Sequence, residues 1–142
     1  MNRRQILQQI AGSSVLLTAG CSSIGENPGP FHFAIVNLRD QHYYVEFAVW
    51  DDSDTLLTDG AVDIAPRGDD EYTALDFENV AEVTNGDVIT AEVEVAGETF
   101  EEAFEVTCNK SDNADNNLFF RIRHPDVSTP TGTGMEFSGS EC

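Results

Sequence analysis

Residues 87–95, DVITAEVEV, alternate apolar and polar side chains along their length. That period of two puts Ile89, Ala91, Val93 and Val95 on one face and Thr90, Glu92 and Glu94 on the other. The pattern suits a half-buried strand and does not suit an amphipathic helix. The same period recurs. Residues 42–50 (HYYVEFAVW) align Tyr43, Val45, Phe47 and Val49, and residues 118–124 (LFFRIRH) align Leu118, Phe120 and Ile122. In 98–107 (ETFEEAFEVT) Phe100, Phe104 and Val106 share a face, and Glu102 interrupts it as an edge or bulge position. Strands are also predicted over 31–38 (FHFAIVNL), 71–77 (EYTALDF) and 134–138 (GMEFS). Residues 55–65 (TLLTDGAVDIA) read as one bent strand or two short ones, with Gly60 at the bend. Between these runs stand turn formers: 51–54 (DDSD), 66–69 (PRGD), Asn85-Gly86 and Ala96-Gly97.

Seven or eight short strands with no convincing helix predict an all-β domain, an antiparallel immunoglobulin-like β-sandwich, with a closed barrel as the alternative. The inward apolar set suffices for one core and leaves little for a deep ligand cavity. Composition decides the solvent. Seven basic and 26 acidic residues give a formal charge of −19, and Lys110 is the only lysine. Such a chain repels nucleic acid and anionic surfaces. Molar salt shortens the Debye length to about 3 Å and screens the self-repulsion. Disorder would be the other reading of this charge, but nine Phe, three Tyr and one Trp spread through alternating segments argue against it.

The N-terminal stretch has a different character. Arg3 and Arg4 are adjacent, no acid occurs before Glu26, and a modestly apolar run leads to Thr18, Ala19, Gly20 and Cys21. A positive end, an apolar middle and a small-residue end are the layout of an export signal, and the run is too short and polar for a membrane span of about 20 residues. Asn2-Arg3-Arg4-Gln5-Ile6-Leu7 resembles a twin-arginine export motif. Leu17-Thr18-Ala19-Gly20-Cys21 resembles the lipobox of lipoproteins, with Leu one place earlier than the usual pattern. With the acidic, lysine-poor body, the chain resembles exported lipoproteins of salt-loving archaea. The resemblance implies a signal over 1–20, a lipid thioether on Cys21, a tether over 21–30, a domain over 31–142 and residence on the outer face of the cell membrane.

If Cys21 carries lipid, Cys108 and Cys142 remain, an even number in an oxidising compartment. A disulfide between them is therefore expected. It would close a loop of roughly 35 residues, worth about 3–4 kcal/mol in the chain-entropy model.

Chemistry-bearing groupings are few. His32, His42 and His124 are the only histidines. A hairpin of 31–38 with 42–50 would place the first two at opposite ends of a ladder. Cys108, His124 and Met135 follow the order of blue-copper ligands, but at spacings too wide for the single loop those ligands share. No GxSxG elbow occurs. Two acidic loops offer hard oxygens to calcium, 51–54 and the stretch containing Asp112 and Asp115, yet neither has the Gly and distant Glu of an EF-hand. Arg67-Gly68-Asp69 matches an adhesion tripeptide and reads physically as a turn. Trp50, at a strand end, is a contact residue or a core lid. Phe119, Arg121 and Arg123 fall opposite Leu118, Phe120 and Ile122, where a Phe beside two arginines is unusual on so acidic a surface. They form the candidate partner patch.

The expected function is that of a non-catalytic binding or envelope-structural module with no cofactor, no assigned metal and no catalytic residues. Its expected partners are the membrane, through the lipid, and an envelope protein or glycan. The alternative is a surface carrier of a small ligand or a divalent cation such as calcium.

Overall fold

Strand β5 (Val88–Val95) carries out the alternation that its sequence dictates: Ile89, Ala91, Val93 and Val95 are buried. It turns back into β6 (Glu98–Glu105) through Ala96 and Gly97, both at positive φ, which is the two-residue hairpin geometry that follows strand twist. On its other side β5 pairs with β2 (Tyr43–Trp50), which pairs with β3 (Leu56–Ile64). This is sheet B, in the order β3-β2-β5-β6. Sheet A contains β4 (Thr73–Val83), β1 (Gly29–Asn37), β7 (Asn116–Ile122) and β8 (Met135–Ser140), in the order β4-β1-β7-β8. The computed structural model describes residues 28–107 and 116–140.

The two sheets enclose one core. Phe33 and Phe77 of sheet A meet Phe47 of sheet B at 5.5 and 4.7 Å between ring centroids. Phe120 and Phe137 continue the aromatic seam to Phe100, with centroid separations of 5.1 and 5.2 Å along it. Such pairs contribute about 0.5–1.5 kcal/mol each beyond the area they bury. Ile35, Val45, Val49, Ile64, Leu118 and Ile122 fill the space between.

The predicted β-sandwich is the fold, with eight strands among the described residues. With β1 standing as strand B, the neighbours β4-β1 and β3-β2-β5-β6 match the E-B and C′-C-F-G neighbours of an immunoglobulin sandwich. The place beside B that strand A normally takes is filled by β7. It runs parallel to β1, so the expectation of a wholly antiparallel sandwich fails at this one pair. Segments 31–38 and 42–50 do not form a hairpin, because β1 and β2 lie in different sheets. Several boundaries shift: β1 begins at Gly29 inside the expected tether, β4 runs on to Val83, β7 begins at Asn116 and ends at Ile122, and β8 reaches Ser140. β4 carries a bulge opposite Phe31 and Phe33, where Asn79 has φ 53°.

The disulfide expectation is corrected. No disulfide occurs among the described residues, and Cys108 and Cys142, like Cys21, lie outside them. The described sandwich is joined by its aromatic seam and by polar ties at one end. Fully buried Asn37 donates through Nδ2 to the carbonyls of Gln41 (2.8 Å) and Ala65 (3.0 Å), and its Oδ1 accepts from the Arg39 amide. Arg39 in turn donates to the carbonyls of Arg123 and Thr133 and to the Tyr43 hydroxyl. Two loops and two sheets are thereby fixed to one another.

Gly134 is where this end is tightest. Its φ is +77°, and a Cβ there would lie 2.6 Å from the His124 carbonyl oxygen and 3.0 Å from that of Arg123. Both atoms are backbone and cannot swing aside. Gly134→Ala is expected to lower unfolding free energy by about 2 kcal/mol or more, from left-handed strain plus overpacking. Denaturant melts in concentrated potassium chloride check it; an unchanged midpoint would show that the turn relaxes freely.

Candidate functional site

The two outer faces of the sandwich differ in kind. On sheet B, pairing sets carboxylate beside carboxylate: Glu46 is opposite Glu94, and Glu92 is opposite Glu101. Asp59 and Glu92 flank Ala48 across the strands. A shallow cavity of about 480 Å³ on this face is walled by Glu46, Asp59, Glu92 and Glu94 and by no basic residue. Like charges placed directly opposite each other in a ladder are destabilising.

Sheet A is built otherwise. Its strand β1 is buried on both sides from Phe33 to Asn37. Ala34 and Val36 point away from the core, yet they are 4 % and 6 % exposed. They are covered by longer neighbours: Ala34 lies between Asp76 and Phe119, and Val36 between Ala74 and Arg121. Val36, with Leu38 just beyond β1, forms the floor of a trough of about 320 Å³, with Tyr72, Ala74 and Asp76 along one wall and Phe119 and Arg121 along the other. The Arg121 guanidinium lies over the Phe119 ring, 4.8 Å from its centroid, and its Nε donates to Ser138 Oγ at 2.7 Å. Ring stacking and one hydrogen bond thus orient Arg121. Tyr72 is 53 % exposed.

The trough adjoins a wider cavity of about 640 Å³ at the end of the sandwich, and Leu38 lines both. Arg39, Arg67, Arg123 and His124 converge there, with Asp40 and Glu71. Arg67 pairs with Asp40, its Nε 3.1 Å from Oδ1. Arg123 Nε lies 3.3 Å from Glu136 Oε1, but out of hydrogen-bonding alignment.

The candidate patch Phe119, Arg121 and Arg123 therefore sits together on the outer face of sheet A, half-buried instead of projecting. Sequence reasoning missed Val36, Leu38, Tyr72, Ala74 and Asp76, which complete the trough. The continuous apolar stretch 33–36 (FAIV) was the available signal of a strand covered on both faces. Other candidates have structural roles. Asp51 Oδ1 accepts from the amides of Ser53 and Thr55, both at 2.9 Å, so that acidic run is an Asx turn. Arg67 of the adhesion-like tripeptide is held by Asp40. His32 Nδ1 accepts from the Asn79 amide at the β4 bulge, and His42 lies 2.9 Å from Asp63. His124 Nδ1 is 3.2 Å from Asp126. Glu102 is exposed, as an edge position should be, and Trp50 is half-buried opposite Leu56. Among the described residues no group of three His, Cys, Asp or Glu could hold a metal ion. Arg3, Arg4, Asp112 and Asp115 lie outside the described residues.

The sheet B ladder has a measurable consequence. Glu94→Gln is expected to raise unfolding free energy in dilute buffer by up to about 1 kcal/mol, the scale of a cross-strand pair. The gain should vanish in molar salt, where charges are screened over about 3 Å. Denaturant melts at the two ionic strengths check it, and a salt-independent effect would sink it.

Tyr44, on the same face, gives a pH test. Partial desolvation, the Glu46 carboxylate, the hydrogen bond to it (3.3 Å) and Asp63 raise its pKa above the ordinary phenol value. The folded state holds this proton more tightly than the unfolded chain. Its contribution to stability is therefore complete below the unfolded phenol value, about 10, and is lost as pH rises through the folded one. Ultraviolet titration of wild type minus Tyr44→Phe should give a midpoint above 10 that Glu46→Gln lowers. An unshifted midpoint would contradict the pairing.

No protein-family model and no curated protein matches this chain, so its functional reading rests on the two faces just described.

Proposed function

We propose that the chain is a lipid-anchored, non-catalytic binding module at the outer face of the cell membrane, and that it binds through the outer face of sheet A. One observation carries the reading: the acids crowd the outer face of sheet B, while the outer face of sheet A offers an apolar floor walled by aromatic rings and an oriented arginine. A surface that served only solubility would need no such difference. The Arg-Arg pair near the N-terminus and the Cys21 lipobox supply the address by resemblance. Orientation supports it. The chain enters β1 at Gly29, and the arginine-lined cavity lies past Asn37, at the other end of a strand roughly 30 Å long. A tether attached before Gly29 thus leaves that end farthest from the membrane.

Both parts can be tested on intact cells. Cys21→Ser is expected to move the protein from washed membranes into the medium. Amine-independent photo-crosslinking should give an adduct that the double substitution Phe119→Ser, Arg121→Gln removes and Glu92→Gln, on the far face, preserves. Membrane retention of Cys21→Ser overturns the anchor. An adduct indifferent to the sheet A pair overturns the binding face.

A further inference from the structure

All four arginines among the described residues line the trough on sheet A or the cavity at its end. Because Leu38 belongs to both, the two form one strip running along β1 and past its end. On its walls the guanidinium groups of Arg39, Arg67, Arg121 and Arg123 stand among the carboxylates of Asp40, Glu71 and Asp76, with Glu136 beside them, opposite Arg121 and 3.3 Å from Arg123. The cavities on sheet B and beside Asp51 are walled by acids without an arginine. In a chain of charge −19, random placement would not gather the cations this way.

Two of the four have charge to spare. Among the described residues neither Arg39 nor Arg121 meets a carboxylate. Arg39 donates to two backbone carbonyls and a phenol oxygen, and Arg121 to a serine hydroxyl while stacked on Phe119. The neutral partners fix each guanidinium in place and leave its charge for an anion. At Arg121 the hydrogen bond to Ser138 uses Nε, so the Nη atoms could make a bidentate pair with a carboxylate.

We propose that the strip binds an extended polysaccharide whose sugars carry carboxylate groups; this rests on the reading of sheet A's outer face as the binding face. The topology favours a saccharide over a peptide. β1 is paired on both sides, by β4 and β7, and β7 is paired by β1 and β8. An extended peptide lying here would find no free backbone edge to which it could add as a strand. Nucleic acid is repelled by the net charge. A sugar chain needs no edge. Its C–H faces pack on the rings of Phe119 and Tyr72, a ring hydroxyl donates to Asp76, and its carboxylate pairs with Arg121. The trough spans two strand spacings, about 9–10 Å, and runs about 13 Å from the level of Asp76 and Phe119 to Leu38 before the end cavity widens it. That is a channel for several rings in line, open to chain continuation at either end.

The test is calorimetric titration of the full chain in molar potassium chloride with three probes: oligogalacturonate, neutral dextran oligomers and polyglutamate. Oligogalacturonate is expected to bind, and each of the other two to bind at least about tenfold more weakly. Arg121→Gln should weaken oligogalacturonate about tenfold, and Arg121→Lys, which keeps the charge but loses the fork, should weaken it as well. Phe119→Ala and Tyr72→Ala should each weaken it, and Glu92→Gln should leave it unchanged. Identical circular dichroism across the variants excludes misfolding as the cause. Dextran binding as tightly as oligogalacturonate overturns the carboxylate requirement. Polyglutamate binding as tightly overturns the saccharide in favour of an acidic protein and leaves the binding face standing. Failure of all three probes, with the cell-surface adduct still dependent on Phe119 and Arg121, overturns this proposal alone. Failure of both experiments removes the binding face too.

Discussion

From Phe33 to Asn37 strand β1 is covered on four sides, and much of the molecule follows from that. Its edges are hydrogen-bonded to β4 and β7, its inner face is Phe31, Phe33 and Ile35, and its outer face is closed over by neighbours. A strand so placed must be apolar at every other residue on one face and small on the other. Ala34 and Val36 meet the second condition, and the groove above them exists because the flanking side chains, Tyr72, Asp76, Phe119 and Arg121, are longer. Larger residues at 34 and 36 would fill the trough and leave a flat sheet. The Asn37 and Arg39 bonds then hold the far end of β1 to the loops after β3 and β7, which brings the arginines of separate loops to one cavity.

The acids are distributed by a related logic. Cohesion comes from the core, because like-charged pairs such as Glu46 and Glu94 oppose the sheet B ladder. An ion-rich solvent removes most of this penalty by screening, while hydrophobic burial is unaffected by screening and is strengthened by excluded salts. High salt thus acts less on the contacts of the fold than on the repulsion within its own surface. The acids also occupy sheet margins: β3, β4 and β6 are edge strands bearing Asp59 and Asp63, Glu78 and Glu82, and Glu98 and Glu101. Charge on an edge discourages strand addition from other molecules.

How much of this could be read in advance depended on range. Alternation in 87–95 and 43–50 reported burial on one face, and the structure buries those residues. Local turns were legible because their chemistry lies within four residues, as in the Asx turn of Asp51. The parallel β1–β7 pair was not legible. It joins residues more than 80 positions apart, and both strands alternate as well in parallel as in antiparallel order. The continuation of β4 through Asn79 was missed because a bulge breaks the period that marks a strand. At the candidate site, parity put Phe119 and Arg121 on the outer face correctly. It could not show that β1 would lie beside them with Ala34 and Val36 outward, since a trough belongs to three strands and only one carried the signal.

The distribution of charge also bears on selectivity. A surface of net charge −19 meets most other proteins and acidic surfaces with repulsion, which molar salt reduces to contact range. Under those conditions long-range steering is weak, and discrimination must come from groups that touch. A guanidinium already oriented by Ser138 and Phe119 loses little conformational freedom on meeting an anion, so its contact survives where a mobile lysine's would be diluted by side-chain entropy. The chain has one lysine and, among the described residues, places each arginine against the strip or its end cavity. In salt the acids oppose contact with like-charged surfaces only at short range, and the arginines act only on what lies within the trough or its end cavity.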